Sequence, residues 1–491
     1  MANSKLPLPD RSTFGVEIEL VVPTLPENRA DPINHEVPVL RIPPDVFDPE
    51  EYVIDQVQAC LDKYLPYPDK SIPFLAPTQS PMDYYRHWRA VADTSIRGPP
   101  LPYDCYGVEI NSSVELSCPE AFDVVQYAVS CLTQEFRCFV NHSCGLHVHT
   151  GCRDELLSVD QMKRMASLIF AVEPLVFSLH DPTRTISPYC QPLQDVSRLA
   201  KRKKGDDVGP WHVGHEACAN LTGLGRRHGE AEMYTRRKLI GESGQRDFLA
   251  TREQGRYDPF VKSANTPNRF IFSPWLSDIN SQIDLAVAHC RAAITEIQEA
   301  RLPSTRTRTR TIPPLQRSQL DESESRALIA TMQDVLDNSW RAKDEKTDTP
   351  ANVILSADEI YSQPCTCRIS WLLQTEHTSR LAIAFHNYAC YPLISVDIDK
   401  RTIEWRLAEP SLDGEWIATW AKICVGVFEF ALYASPIDFI EVIDQSHRAS
   451  KGEISYDIID LLDDIGLFAE AVVVENRLKA NKERLRVRFA E

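Results

Sequence analysis

The chain has 491 residues, 43% of them hydrophobic and 9% aromatic, enough apolar material for two or three domains or one large domain with long insertions. Its 53 Lys and Arg against 70 Asp and Glu leave a formal net charge of −17, which disfavours nucleic acid as a partner unless positive charge is gathered locally. No apolar run approaches the ~18–20 residues of a membrane span, the opening MANSKLPLPDRSTFG lacks the apolar stretch of a secretory signal, and the 14 cysteines are scattered as in a reduced, cytoplasmic protein.

In chain order, residues 13–22 (TFGVEIELVV) alternate and carry β-branched side chains, which predicts a strand. A proline-rich stretch over 23–81 follows, interrupted by one helix at 50–64. Residues 105–117 read as a second strand, 121–140 as a helix by apolar spacing, and GLHVHTG (145–151) as a strand ending in a turn. A long helix is expected over 158–180 with Ser158 as its N-cap. Residues 195–367 read as a long, partly disordered insertion around a few helices, including 279–300 and 322–337. That stretch holds KRKK (201–204), which leaves a nuclear location open, and the run TRTRTRT (305–311). The single CTC at Cys365 and Cys367 lacks the second knuckle of a zinc site. Order returns with a strand at 401–409 and a helix at 412–434, and 436–491 reads as a helical appendage. Strand pairs alternating with long helices make the class α+β.

Three of these strands carry functional groups at i and i+2, which places both on one face roughly 6.5–7 Å apart. The pairs are Glu17 with Glu19, His147 with His149, and Glu404 with Arg406; Glu109 and Glu115, six apart, share a face if their strand is regular. One such pair alone is a solvated face as readily as a site. Together, these carboxylates, histidines and arginine on strand faces suit a two-metal nucleotide site. Magnesium and manganese prefer oxygen ligands, and arginine matches phosphate geometry. No GxxxxGK[ST] stretch occurs, so a P-loop is unsupported.

The stretches FGVEIE (14–19), HWRAVADTSI (87–96), YGVEINS (106–112), VNHSCGLHVHTG (140–151) and RTIEWRLAEPSLD (401–413) resemble, in order and spacing, the putative amidoligase family. This is a branch of the carboxylate–amine ligases that include glutamine synthetase and glutamate–cysteine ligase. SPYCQPL (187–193) is similar more weakly. The resemblance implies a curved, mainly antiparallel sheet of the glutamine-synthetase type, with helices on its outer face, in a catalytic domain over 1–435. It implies Glu17, Glu19 and Glu404 as metal ligands, His147 at a metal or its phosphate, and His149 beside substrate. Arg406 would hold the transferred phosphoryl group, and Asp93 would lie near the site. Either Glu109 or Glu115 would be a further ligand or catalytic acid, and both stay open. Where the family continues with an acid, glycine and threonine, this chain has Glu409, Pro410 and Ser411; the serine hydroxyl could still contact nucleotide phosphate, while proline removes an N–H.

The implied activity is an ATP- and magnesium- or manganese-dependent ligase joining a small-molecule or peptide carboxylate to an amine through an acyl-phosphate. Two other readings stand beside it: a nucleotide-binding protein of the same fold without catalysis, and a zinc hydrolase built on the HxH pair. Cys144 and Cys190 flank the expected site and read as buried thiols rather than nucleophiles, because no base is paired with either.

Overall fold

The computed structural model describes residues 12–33, 35–65, 87–98, 102–152, 157–201, 351–363, 366–375, 380–388 and 402–488. The TRTRTRT run, the helices expected at 279–300 and 322–337, Cys365, and KRKK beyond Lys201 lie outside them.

The centre is a mixed array of helices and a mainly antiparallel sheet that does not close into a barrel. Its strands are β1 (Thr13–Pro26), β2 (Leu40–Ile42), β3 (Arg89–Ala92), β4 (Asp104–Asn111), β5 (Glu115–Leu116), β6 (Leu146–Gly151), β7 (Ile383–Ala384) and β8 (Thr402–Ala408). The spatial order is β3-β4-β1-β6-β8-β7, with β2 and β5 pairing to β1, and among the described strands only the β1–β2 pair is parallel. β1 and β6 therefore sit at the middle of the sheet, flanked by β4 and β8.

Alternation along β1 divides the sheet into two unlike faces. Phe14, Val16, Ile18, Leu20 and Val22 join the main core, whereas Glu17 and Glu19 point the other way. The apolar face is covered by α2 (Pro119–Glu135), α3 (Val159–Phe177) and α7 (Gly414–Tyr433), while α1 (Pro49–Tyr64) packs on β3 and α2. Phe14 stacks on Phe122 of α2 at 4.5 Å between ring centroids. Trp405 of β8 meets Trp420 of α7 edge to face at 6.4 Å, with its indole N–H donating to Thr150. Each fully buried aromatic contributes on the order of 2–3 kcal/mol to folding.

The helix starts follow from local chemistry. Asp48 accepts the N–H groups of Glu50 and Glu51 ahead of Pro49, which has none to lose. Ser158 and Gln161 form a reciprocal capping box at the start of α3. The helix expected at 121–140 instead stops at Glu135, because Phe136 turns extended and the chain bridges back to Val21 through Phe139. α7 is long and apolar enough to cross a membrane, but 78% of that stretch is buried, the position of a core helix.

The described parts of the expected insertion are built onto the same core. Between α3 and β7 come the short α4 (Leu193–Val196), then α5 (Val353–Ser362) and α6 (Thr366–Leu372), all packed against α3. The C-terminal segment forms α8 (Pro436–Ser450), α9 (Ile458–Asp464) and α10 (Phe468–Arg488), and its Phe439, Ile458, Leu461 and Val474 enter the core that the sheet shares. Gly426 lets the turn into α10 approach α7: a Cβ there would lie 2.6 Å from Leu467.

Two departures from strict alternation decide what reaches the polar face. Asn111 lies opposite Glu17, yet Glu115 lies opposite Phe14, so four steps of one chain span three of the other. On β8, Val148 faces Trp405 but Leu146 faces Ala408, a bulge at Arg406–Leu407. A one-residue slip turns a side chain to the other face.

Candidate active site

The polar face is assembled by register. Glu19 stands opposite Glu109, Glu17 opposite His147, and His149 opposite Glu404, so neighbours come from four adjacent strands. Directly opposed side chains have Cβ atoms roughly 4.5–5.5 Å apart, close enough for their ends to meet. Glu17, Glu19, His147, His149, Glu404 and Arg406 are all buried.

His147 is the hub. Its Nδ1 lies 3.1 Å from Glu17 Oε2 and 3.9 Å from Glu404 Oε1, and its Nε2 lies 3.5 Å from Glu19 Oε1. His149 Nε2 lies 2.9 Å from Glu17 Oε1, while its Nδ1 is held 3.0 Å from the Thr402 hydroxyl. Arg406 pairs with Glu404. The Gly145 N–H donates to Glu19 Oε2 at 2.6 Å. A side chain at that position would displace the imidazole, since a Cβ would sit 2.8 Å from His147 Nε2.

Two groups of donor atoms result. Oxygen or nitrogen atoms of Glu17, His149 and Glu404 lie within 4.8 Å of one another, and carboxylate oxygens of Glu19, Asp93 and Glu109 do likewise. Such spacing suits shared coordination of a cation.

Electrostatics reflect this crowding. Burial pushes the Glu19 carboxyl up to about 8, with Asp93 and Glu109 adding to the shift against Arg406 and Arg184. Burial, then Arg406, lowers the His147 imidazole to about 4, so it is neutral near pH 7. A neutral His147 donates from one nitrogen only; Nδ1–H to Glu17 and a protonated Glu19 facing Nε2 satisfies both contacts. Burial opposes the charge on Arg406, but Glu404, Glu17 and Glu19 outweigh it and raise its pKa.

The structure thus brings together Glu17, Glu19, Glu109, His147, His149, Glu404 and Arg406, with Asp93 beside Glu19. It corrects the expectation for Glu115. The extra residue between Asn111 and Glu115 turns that carboxyl onto the helix-packed face beside Phe14, where it meets the Ser113 hydroxyl. Ser411 is placed ahead of α7, its hydroxyl accepting the Asp413 N–H; no described contact joins it to the carboxylate–histidine group. Cys144 is a buried thiol pushed up to about 12 by desolvation, and Cys190 donates to the Arg184 carbonyl.

Three neighbours were not singled out in the sequence. Thr402 obeys the same i, i+2 rule from Glu404 and was within reach of it. His386 Nε2 lies 4.0 Å from Glu404. Arg184 sits on a 3-10 turn, Pro182–Thr185, and donates to the carbonyls of Cys144 at 3.2 Å and Arg406 at 2.8 Å. The DPTRT stretch signals a turn but does not mark its arginine.

Residues 10–208 match the model of a protein family described as "Putative amidoligase enzyme", as the sequence motifs implied, and that description supports an amide-bond ligase. The match includes β1, β3, β4, β6 and the Arg184 turn but ends before β8, so the fold, not the match, brings Glu404 and Arg406 to His149. No curated protein and no solved structure matches the chain.

Proposed function

We propose that this chain is an ATP- and magnesium-dependent carboxylate–amine ligase of the putative amidoligase family, with its sheet of the glutamine-synthetase type. The observation that carries the reading is the adjacency of two acidic donor groups, Glu17–His149–Glu404 and Glu19–Asp93–Glu109, around one neutral histidine and beside Arg406.

The donor set fits hard cations. Oxygen ligands predominate, and magnesium or manganese takes carboxylates and phosphate oxygens together. The raised Glu19 supports the fit: without a cation this cluster retains a proton, and cation binding would release it. When bound, the metals would screen the phosphate charge of ATP.

The remaining work falls to the chain. Arg406, a permanently charged fork at a bulge in β8, would bind the γ-phosphoryl oxygens and stabilise charge during transfer. A carboxylate oxygen of the acid attacks the γ-phosphorus, the bond to the bridging oxygen breaks, and ADP leaves. The amine nitrogen then attacks the acyl carbon, the carbon–oxygen bond to phosphate breaks, and the amine's proton passes to the departing phosphate. His149, held by Thr402 and Glu17, would stand beside the substrate. Burial of Glu17, Glu19, His147, His149, Glu404 and Arg406 lowers the local dielectric, which strengthens their interactions.

The test is a screen of acid–amine pairs for phosphate release from ATP. Release requiring both substrates and magnesium, and falling at least about a hundredfold in Arg406→Ala, is the expected result. Hydrolytic activity supported by zinc without ATP, or an undiminished rate in folded Arg406→Ala, would contradict it.

A further inference from the structure

We infer that Arg477, on the C-terminal helix α10, is a positioning residue for the arginine end of this site, acting through Glu409 and Asp181. Its activity arm rests on the proposed ligase reading; its structural arm does not.

The connection is continuous. Arg477 Nη2 pairs with Glu409 Oε1, and the other carboxylate oxygen of Glu409 accepts the Asp181 N–H at 2.7 Å. Asp181 caps the 3-10 turn by accepting from the N–H and hydroxyl of Thr183. The next residue, Arg184, spends its two terminal nitrogens on the carbonyls of Cys144 and Arg406. Those carbonyls lie at the ends of two site segments: Cys144 precedes Gly145, which donates to Glu19, and Arg406 begins the bulge in β8. Arg184 thereby ties the loop that holds Glu19 to the strand that presents Arg406.

The geometry around Arg477 favours a specific joint over a general surface contact. Its guanidinium carbon lies 4.0 Å from the centre of the Trp416 ring, and Ala471 and Val474 on the same helix are buried. His180, the residue before Asp181, packs edge-on to Trp416 and Trp420. A bulge bends a strand and aims its side chains, so the angle at which Arg406 leaves β8 depends on what holds the carbonyls there. Glu409 lies three residues beyond Arg406, and its two carboxylate oxygens go to Arg477 and to the Asp181 N–H. That acid is committed to the joint.

The experiment compares full-length Arg477→Gln, Arg477→Lys and a control, Lys479→Ala, whose side chain pairs with Glu475 on the exposed face of α10. Hydrogen exchange is read at 181–186 and 404–408, and kcat and KM for ATP are read separately. Expected in Arg477→Gln are faster exchange at both segments and a kcat lowered about tenfold with KM within about twofold, since small misplacements cost rate more than binding. Arg477→Lys should recover most of the loss, and Lys479→Ala should match the wild type. Faster exchange confined to 468–488, or equal effects in Arg477→Gln and Lys479→Ala, would overturn the inference. Should the wild type show no ATP turnover, the ligase reading fails, and exchange at 181–186 and 404–408 alone decides the positioning role.

Discussion

One sheet carries buried carboxylates on both faces, and they live under opposite conditions. On the polar face, Glu17, Glu19 and Glu404 are crowded by other acids, by two histidines and by Arg406 and Arg184. On the helix-packed face, Glu115 is fully buried beside Phe14 with one hydroxyl contact, and burial alone pushes it up to about 7. Burial raises Glu19 on one face and Glu115 on the other, but among the described residues only the first face offers a set of converging ligand atoms for a cation. Burial of an acid is thus not a sign of a site by itself; convergence is.

That comparison can be broken at several points. The largest effect is expected from Phe14→Ala, which removes a stacked, buried ring from the helix-packed face and should cost about 3–5 kcal/mol in a denaturant titration. Next is Glu17→Gln on the polar face, expected to lower acid-dependent phosphate release by at least about a hundredfold, about 2.7 kcal/mol of barrier. Its cation-free stability should be unchanged or higher, because one like charge is gone. A loss of stability comparable to Phe14→Ala would erase the distinction between the faces.

Glu115→Gln gives a smaller effect with a definite pH signature. The folded pKa of about 7 exceeds the ordinary value of 4.5, so the fold holds this proton more tightly than the unfolded chain does. Its stabilising contribution is complete below pH 4.5 and is lost as pH rises through 7, about 3 kcal/mol in all. The stability difference between wild type and Glu115→Gln should follow that curve; a flat difference would place the carboxyl in contact with charge. Smallest is Ser158→Ala, expected to cost about 1 kcal/mol by removing the cap of α3 while leaving phosphate release unaltered.

What the sequence disclosed follows from regularity. β1 and β6 run without interruption through their site residues, so period-two alternation placed Glu17, Glu19, His147 and His149 on one face correctly. The same rule failed at Glu115, because a single extra residue after Asn111 reverses the parity and nothing in the alternation announces it. The neighbourhood of β6 and β8 is a long-range pairing, with Trp405 bonded to Thr150 across 255 residues, and the motif order alone suggested it. Arg184 and Asp93 reach the site from a turn and from the end of a short strand, where no periodicity aims a side chain. The C-terminal helices read as an appendage because their apolar spacing does not reveal the core they join.

The most direct test of the central claim is calorimetry of ATP binding with and without magnesium, on the wild type and on Glu404→Ala. Magnesium-dependent binding that Glu404→Ala abolishes is the expected result, because Glu404 belongs to one donor group and touches Arg406. Folded wild-type protein that binds no nucleotide in the presence of magnesium would contradict the claim.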